Sequence, residues 1–300
     1  MKKKTYLFAL MAMALALGSC SDNENGIGGE TSQYITVSTS IGNMTRVATD
    51  EKGGQTFEEG DEISVYAWTG DATVAPETSE RVVNNAINKL TNGSWVSTPQ
   101  MLWKNNRDKH YFIGVYPTAA ISDLSAGEYT FDETKQVESD LLVAVNKDGL
   151  SYNVDEPQTV PLTFTHVMAK LAVNLTYKNQ WGGIPTVEKV VVGNAAKEAT
   201  INYLTKVVTP STTAKEDFSL PEITENTKYV SVIIPQEEVT QLTIVIGGKN
   251  FVYDNGTPFK LESGKITTVN LEVGRDEIKL GDVKITNWED GSTFSGEALN

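Results

Sequence analysis

Cys20 is the only cysteine of the 300-residue chain, and its surroundings indicate acylation rather than redox or nucleophilic chemistry. Lysines fill positions 2–4, and the apolar run that follows, residues 6–17, is too short to cross a bilayer as a helix. Two small residues stand directly before the cysteine. This pattern looks like a bacterial lipobox, in which the signal peptide, residues 1–19, is removed and the thiol receives a diacylglycerol. An ordinary signal peptide is the alternative, but it would leave a free thiol without a disulfide partner.

The remaining chain offers little catalytic chemistry. Its two histidines are His110, expected to be solvated, and His166, expected to be a hydrogen-bonded core residue because it lies in an alternating apolar run. Acylation of Cys20 leaves no Cys–His pair, and no nucleophile elbow or phosphate-binding loop is present. The acidic turns lack the spacing of a calcium loop. We therefore expect no catalytic residue, no metal and no cofactor.

The charge balance limits the possible partners. The chain has a formal net charge of -14, and removal of residues 1–19, which carry three lysines and no acid, makes it -17. Nucleic acid is excluded as a partner because phosphate binding requires clustered Lys and Arg. An acidic, soluble extracellular surface is the expected outcome. Residues 20–33 are polar and Gly-containing, which is typical of a flexible tether.

The elements that position these residues are predicted to be strands. Short β-branched and aromatic runs alternate with Gly, Asn, Asp and Pro along the chain, which has 39% apolar residues. Ile35, Val37 and Ile41 share one parity in the first of these runs. Residues 81–90 are the one short helical candidate, although two adjacent asparagines weaken it.

The pattern changes parity near Ala169. Alternate residues are apolar on even positions from Leu162 to Met168 and on odd positions from Leu171 to Tyr177. Such a change predicts a β-bulge or a strand that moves from one sheet to another. Strands at this density predict an all-β fold of two antiparallel β-sandwich domains in series, residues 34–157 and 158–300.

The sequence resembles the fimbrillin-like (Mfa-like) pilins, the subunits of type V pili in Gram-negative gut and oral anaerobes. The resemblance rests on the order and spacing of many short motifs over nearly all of the mature chain. They are Cys20, Thr45-Arg46, FEEGDEI at 57–63, FIGVYP at 112–117, SDLL at 139–142, LTFTHVMAKL at 162–171, IIP at 233–235, GKI at 264–266 and ITNW at 285–288. The resemblance implies two sandwiches of transthyretin- or immunoglobulin-like topology.

The resemblance also implies assembly by strand exchange at the outer membrane. In the family, an Arg-specific surface protease cuts after the first strand, and a strand of a neighbouring subunit fills the groove that is left. Here the cut is expected after Arg46, so that the mature subunit begins at Val47. Three other arginines, at 81, 107 and 275, are competing sites.

The free-energy cost of opening the groove can be estimated from the residues of the first strand. Loss of the first strand, with inward Ile35, Val37 and Ile41, costs roughly 5–12 kcal/mol for three or four large side chains. The open sheet edge must then be refilled, and strand addition is one way to do so. The candidate donor lies near the C-terminus, where Ile278 and Leu280 share one parity and Val283 and Ile285 the other.

Three functional hypotheses remain. The first is a structural pilin of the cell-surface fimbrium that polymerises with neighbouring pilin subunits by donor-strand exchange. The second is a monomeric surface lipoprotein that binds a glycan or a host protein and stays anchored by Cys20. The third, an enzyme, has no residue pattern in its favour. The first two predict opposite fates for residues 20–46, which a polymerising subunit must lose and an anchored binder must keep.

Overall fold

A computed structural model describes residues 33–42, 56–153 and 158–288 of the chain. The signal peptide, Cys20, nearly all of the tether, Arg46 and Val47 lie outside the described residues. The junction expected at 157/158 falls at the edge of the second gap. Within the part of the chain that the structure describes, no helix is both long and apolar enough to span a membrane.

The described chain is all-β, with only two 3-10 turns, Thr78–Glu80 and Asn179–Trp181, as helical structure. The strands in chain order are β1 (Thr36–Ile41), β2 (Glu62–Thr69), β3 (Val83–Thr91), β4 (Ser94–Thr98), β5 (His110–Tyr116), β6 (Gly127–Thr130), β7 (Leu142–Leu150), β8 (Thr159–His166), β9 (Ala169–Tyr177), β10 (Val187–Ala196), β11 (Glu198–Asn202), β12 (Val207–Pro210), β13 (Lys215–Ser219), β14 (Glu222–Thr224), β15 (Lys228–Ile233), β16 (Gln236–Ile246), β17 (Lys249–Leu261), β18 (Lys265–Val273) and β19 (Ile278–Asn287).

The N-terminal part forms one curled seven-stranded sheet in the order β1-β8-β7-β5-β2-β3-β4. Its central strands are apolar on both faces, as expected for strands covered on both sides. The two ends of the sheet meet, because Tyr34, before β1, forms an antiparallel bridge with Leu102, which follows β4. The face turned inward by this curl forms one of the two hydrophobic cores.

The C-terminal part forms three further sheets. Their orders are β13-β10-β16-β17, β12-β11-β6 and β14-β15-β9-β18-β19. In the second of these, β6 from the N-terminal part pairs antiparallel with β11. The larger hydrophobic core combines these sheets with the outward face of the seven-stranded sheet, including Tyr66, Trp68 and Ile113.

The parity change near Ala169 is a change of sheet. β8 belongs to the seven-stranded sheet, whereas β9, which starts three residues after β8 ends, pairs with β15 and β18 in the five-stranded sheet. A single extended stretch therefore serves both parts of the fold, and the break at residues 167–168 allows each half to turn its own apolar side inward.

The helical candidate at 81–90 is wrong, because most of it is strand β3. A β-bulge lies at Asn84 and Asn85, where β3 slips by one residue against β2 and Asn85 has a φ of +56°. The bulge separates buried Val83 and Ala86 by three residues instead of two. This local spacing imitates one turn of an amphipathic helix.

Candidate functional site

The first strand, β1, lies in a slot with partners on both sides. Along one edge it pairs parallel with β8, from Thr36 opposite Thr159 to Ile41 opposite Phe164. Along the other edge, the residues just before β1 are paired: Ile35 donates its N–H to the carbonyl of Met101 at 2.9 Å, and Trp103 donates its backbone N–H to the carbonyl of Gln33 at 3.1 Å. β1 therefore completes the curl of the sheet.

The inward side of β1 carries the side chains at the odd positions 35, 37, 39 and 41. Ile35 and Val37 are buried, and Ile41 is half-buried against the same core. Thr39 is the polar member of the set, and its Oγ1 accepts a hydrogen bond of 2.9 Å from Trp95 Nε1 on β4. Burial of Ile35 and Val37 alone stabilises the strand by about 3–6 kcal/mol.

The outward side of β1 is polar and lies close to β8. Ser40 Oγ donates to Thr163 Oγ1 at 3.2 Å, and Gly42 donates its N–H to the carbonyl of Phe164 at 2.7 Å. A Cβ atom at Gly42 would lie 2.8 Å from Thr163 Cγ2, so the end of β1 approaches β8 as closely as only glycine allows.

The chain re-enters the described structure beside the place where β1 ends. The ring of Phe57 makes edge contacts with the rings of Trp95, Tyr116 and Phe164 at centroid distances of 5.1–5.4 Å. Gly42 and Phe57 thus both meet Phe164, one from each end of the segment 43–55. Because Arg46 falls in that segment, a cut there leaves β1 held only by non-covalent contacts.

The motif FEEGDEI forms a turn that anchors the chain after this segment. Glu59 accepts the backbone N–H of Asn92 at 2.7 Å and that of Gly93 at 3.5 Å, in the hairpin between β3 and β4. Asp61 Oδ2 accepts the N–H of Glu58 at 2.7 Å. The turn is therefore tied to the β3–β4 hairpin independently of β1.

The candidate donor residues lie on the last strand, β19, at the edge of the five-stranded sheet. β19 pairs antiparallel with β18, and the register shifts at Gly281 and Asp282, where β19 has one extra residue. Asn270 Nδ2 donates to Asp282 Oδ1 at this bulge, at 2.7 Å. The residues opposite the four apolar side chains all share one parity of β18, so the bulge brings the four onto a single face; these pairs are Ile278–Val273, Leu280–Leu271, Val283–Val269 and Ile285–Thr267.

This apolar face is incompletely covered. Ile278 and Leu280 are half-buried against the large core, whereas Val283 and Ile285 are each 37% exposed. β19 therefore has an apolar face that the monomer covers only in part, and a groove enclosing all four side chains would bury more apolar surface.

Trp288 directly follows β19 and fixes its end to the end of β8. Its backbone N–H donates to the carbonyl of Gly264 at 3.1 Å, and its ring stacks on that of His166 with centroids 4.2 Å apart. The ammonium of Lys170 lies 4.2 Å from the centre of the same indole. His166 Nδ1 donates to Asp140 Oδ1 at 2.7 Å. Burial lowers the pKa of Lys170, and the Asp140 carboxylate acts in the opposite direction.

His166 is the buried, hydrogen-bonded core residue predicted from its apolar run. The expectation that His110 is solvated is wrong, because its side chain is fully buried against Trp103. Its Nε2 accepts the N–H of Lys104 at 3.0 Å, and Nδ1 lies 3.1 Å from the carbonyl of Asp108. This pairing suits a neutral imidazole with its proton on Nδ1, and burial lowers the pKa of His110.

Arg81, one of the competing cleavage sites, has a structural role. Arg81 is buried and donates to the carbonyls of Ile121 and Ser122 at 2.6 Å, so it is a poor target for a protease. In the part of the chain that the structure describes, no group of three acidic, His or Cys side chains could hold a metal ion. Sequence reasoning missed the roles of Trp95 and Trp288, although the motif ITNW already singled out the second.

The sequence model described as fimbrillin-like matches residues 45–288. No curated protein is significantly similar in sequence.

Solved structures share the fold. A candidate cell adhesion protein from Bacteroides uniformis is 18% identical with a TM-score of 0.64, over 85% of this chain and 99% of that one. One from Bacteroides ovatus is 16% identical with a TM-score of 0.64, over 86% and 98%. A fimbrial protein from Bacteroides vulgatus is 12% identical with a TM-score of 0.53, over 85% and 99%.

Proposed function

This chain belongs to the fimbrillin-like family, and from that premise we propose that it is a structural subunit of a type V pilus on the bacterial surface. It is exported as a lipoprotein acylated at Cys20, cut after Arg46, and polymerised by donor-strand exchange. The observation that carries this proposal is the position of β1, which completes the curled sheet and lies just before the segment that contains Arg46.

Processing at Arg46 would turn an intramolecular strand into a removable one. The contacts of Phe57 and Glu59 hold the chain after the cut without help from β1. Loss of β1 then exposes the buried faces of Val160, Leu162 and Phe164, together with one backbone edge of β8. An apolar slot with unpaired N–H and C=O groups favours the addition of a new strand.

The donor in this proposal is β19 of a neighbouring subunit. It is an edge strand, it carries four apolar side chains on one face, and part of that face is exposed in the monomer. Each subunit thus has a groove at one place and a donor at another. A contact of this head-to-tail kind does not close on itself and generates a filament. An intact donor strand favours a shaft subunit over a tip.

A monomeric surface lipoprotein that binds a glycan or a host protein is the second candidate, and it requires that residues 20–46 stay in place. The experiment that separates the two is N-terminal sequencing and intact mass of the protein from the native cell surface. Sheared material that begins at Val47 supports the pilin. A single membrane-bound form that begins at acylated Cys20 contradicts the shaft role and favours an anchor subunit or the monomeric lipoprotein.

A further inference from the structure

The inward positions that β1 occupies in the groove and the apolar side chains of β19 are equal in number but differ in their spacing along the sequence. β1 fills four successive inward positions, those of Ile35, Val37, Thr39 and Ile41. β19 has four apolar side chains, but the middle pair, Leu280 and Val283, is three residues apart instead of two. A regular strand of this sequence would turn two of the four outward.

We propose that β19 of a second copy keeps its bulge when it occupies the groove, so that all four apolar side chains point inward and Asp282 points outward beside Pro161. This inference rests on the proposed strand exchange. The outer two apolar residues take the places of Ile35 and Ile41, and Leu280 and Val283 take those of Val37 and Thr39 in either order. Because the bulge is central, the match holds whichever way the donor runs.

The exchange improves the apolar match at the centre of the groove. Thr39 is the one polar residue on the inward side of β1, and the donor replaces it with a hydrocarbon side chain. Trp95 loses the Thr39 hydroxyl as an acceptor, but its indole is only partly buried and can bond to water. Val283 and Ile285, each 37% exposed in the monomer, gain cover in the groove.

Charge complementarity supports the placement of Asp282. Ser38, at the centre of β1, is paired with Pro161, and Pro161 borders an open cavity that is also lined by Lys147 and Lys206. Burial, together with the neighbouring Lys147, lowers the pKa of Lys206, so a carboxylate here would favour its charged form. The cavity also contains Asp148, which leaves two lysines against one carboxylate in its lining.

β19 carries Lys279, Asp282 and Lys284, a net charge of +1, in a chain whose formal net charge is -14. A donor strand that is less acidic than the rest of the chain reduces the repulsion between two acidic subunits as they approach.

Disulfide trapping in filaments sheared from cells tests the register. Processing removes Cys20, so the filament contains no native thiol. The double variant Asp282→Cys/Pro161→Cys should give intersubunit disulfides that run as ladders on gels without reductant. The shifted pairs Asp282→Cys/Thr159→Cys and Asp282→Cys/Thr163→Cys are the controls. A shifted pair that traps more efficiently, or filaments in which no pair traps, would overturn the bulged register.

A charge exchange tests the lysine contact separately. Lys147→Glu combined with Lys206→Glu should remove most of the filament yield, and Asp282→Lys in the same chain should restore it. Lys249→Glu, at an exposed hairpin, is the matched control and should leave the yield unchanged. Full yield from the double lysine variant would contradict the contact. A wild-type chain that forms no filaments after processing would instead refute the proposed function, and the register with it.

Discussion

The indole of Trp288 lies flat against the imidazole of His166, with the ring planes inclined by 8°. Trp288 directly follows the last strand, β19, and His166 ends β8, the strand that pairs with β1. Both the strand proposed to leave and the strand proposed to be donated therefore touch the same end of β8. A conformational change at residues 164–166 would therefore alter the contacts of β1 and those of Trp288 at the end of β19.

Trp288→Ala should loosen β19 in the monomer. Removing a buried Trp side chain costs about 3–5 kcal/mol in protein cores, and here the lost contacts are the stack on His166 and the approach of Lys170. Amide hydrogen exchange across residues 278–287 should accelerate relative to the central strand β5. Trp288→Phe keeps an aromatic ring and should show a smaller effect. Unchanged exchange in the Ala variant would show that Trp288 does not hold the strand.

Val37→Asp should destabilise the unprocessed chain far more than Ser38→Asp. The two residues are adjacent on β1, but Val37 is buried in the curled sheet and Ser38 is exposed. The buried substitution should cost at least about 2 kcal/mol from lost apolar burial alone, measured by urea unfolding. Similar losses in the two variants would mean that β1 does not pack as described.

Val283→Asp combined with Ile285→Asp should block filament formation while the monomer stays folded, because both side chains are 37% exposed before assembly. Ile278 and Leu280 are less suitable targets, since they pack against the monomer core. The matched control introduces the same two charges at exposed apolar positions outside β19, as Ile223→Asp combined with Val252→Asp. Circular dichroism checks the monomer, and electron microscopy of sheared material counts filaments. Normal filaments from the Val283/Ile285 variant would exclude β19 as the donor.

Arg46→Ala should retain the N-terminal segment and prevent polymerisation, because the slot stays occupied by β1. Arg107→Ala is the control, since Arg107 is exposed in a loop after β4 and is equally attractive to a trypsin-like protease. Intact mass should show retention of residues 20–46 only in the first variant. Processing of the Arg46 variant to a chain that begins at Val47 would refute the assigned cleavage site.

Buried His110 should make the protein less stable as the pH falls. Its folded pKa lies below the ordinary value near 6.5, so the unfolded chain takes up a proton that the folded chain resists. The contribution of neutral His110 is fully present above about pH 6.5 and declines as the pH drops through and below that value. Urea unfolding at about pH 7.5 and about pH 5.5 should therefore differ less for His110→Gln than for the wild type. An equal pH dependence in both proteins would contradict this account.

Period-two patterns in the sequence predicted several elements correctly, since alternation reports which side of a strand is buried. They identified the apolar face of β1, the core position of His166 and the break between β8 and β9. They failed at β3, where the bulge at Asn84 and Asn85 gives a helix-like spacing. They also failed at His110, because a strand-terminal histidine next to a lysine has no local feature that distinguishes burial from exposure.

The amino-acid sequence by itself determined the all-β class, the acidic surface and the family, because these depend on composition, alternation and the order of short motifs. Only the tertiary structure decided that β1 closes a curled sheet against residues 101–103, that β6 pairs with β11, and that Trp288 stacks on His166. Each of these contacts joins residues more than 60 positions apart along the chain. Local pattern carries no information about such pairs, because their geometry is set by how the sheets curl and pack.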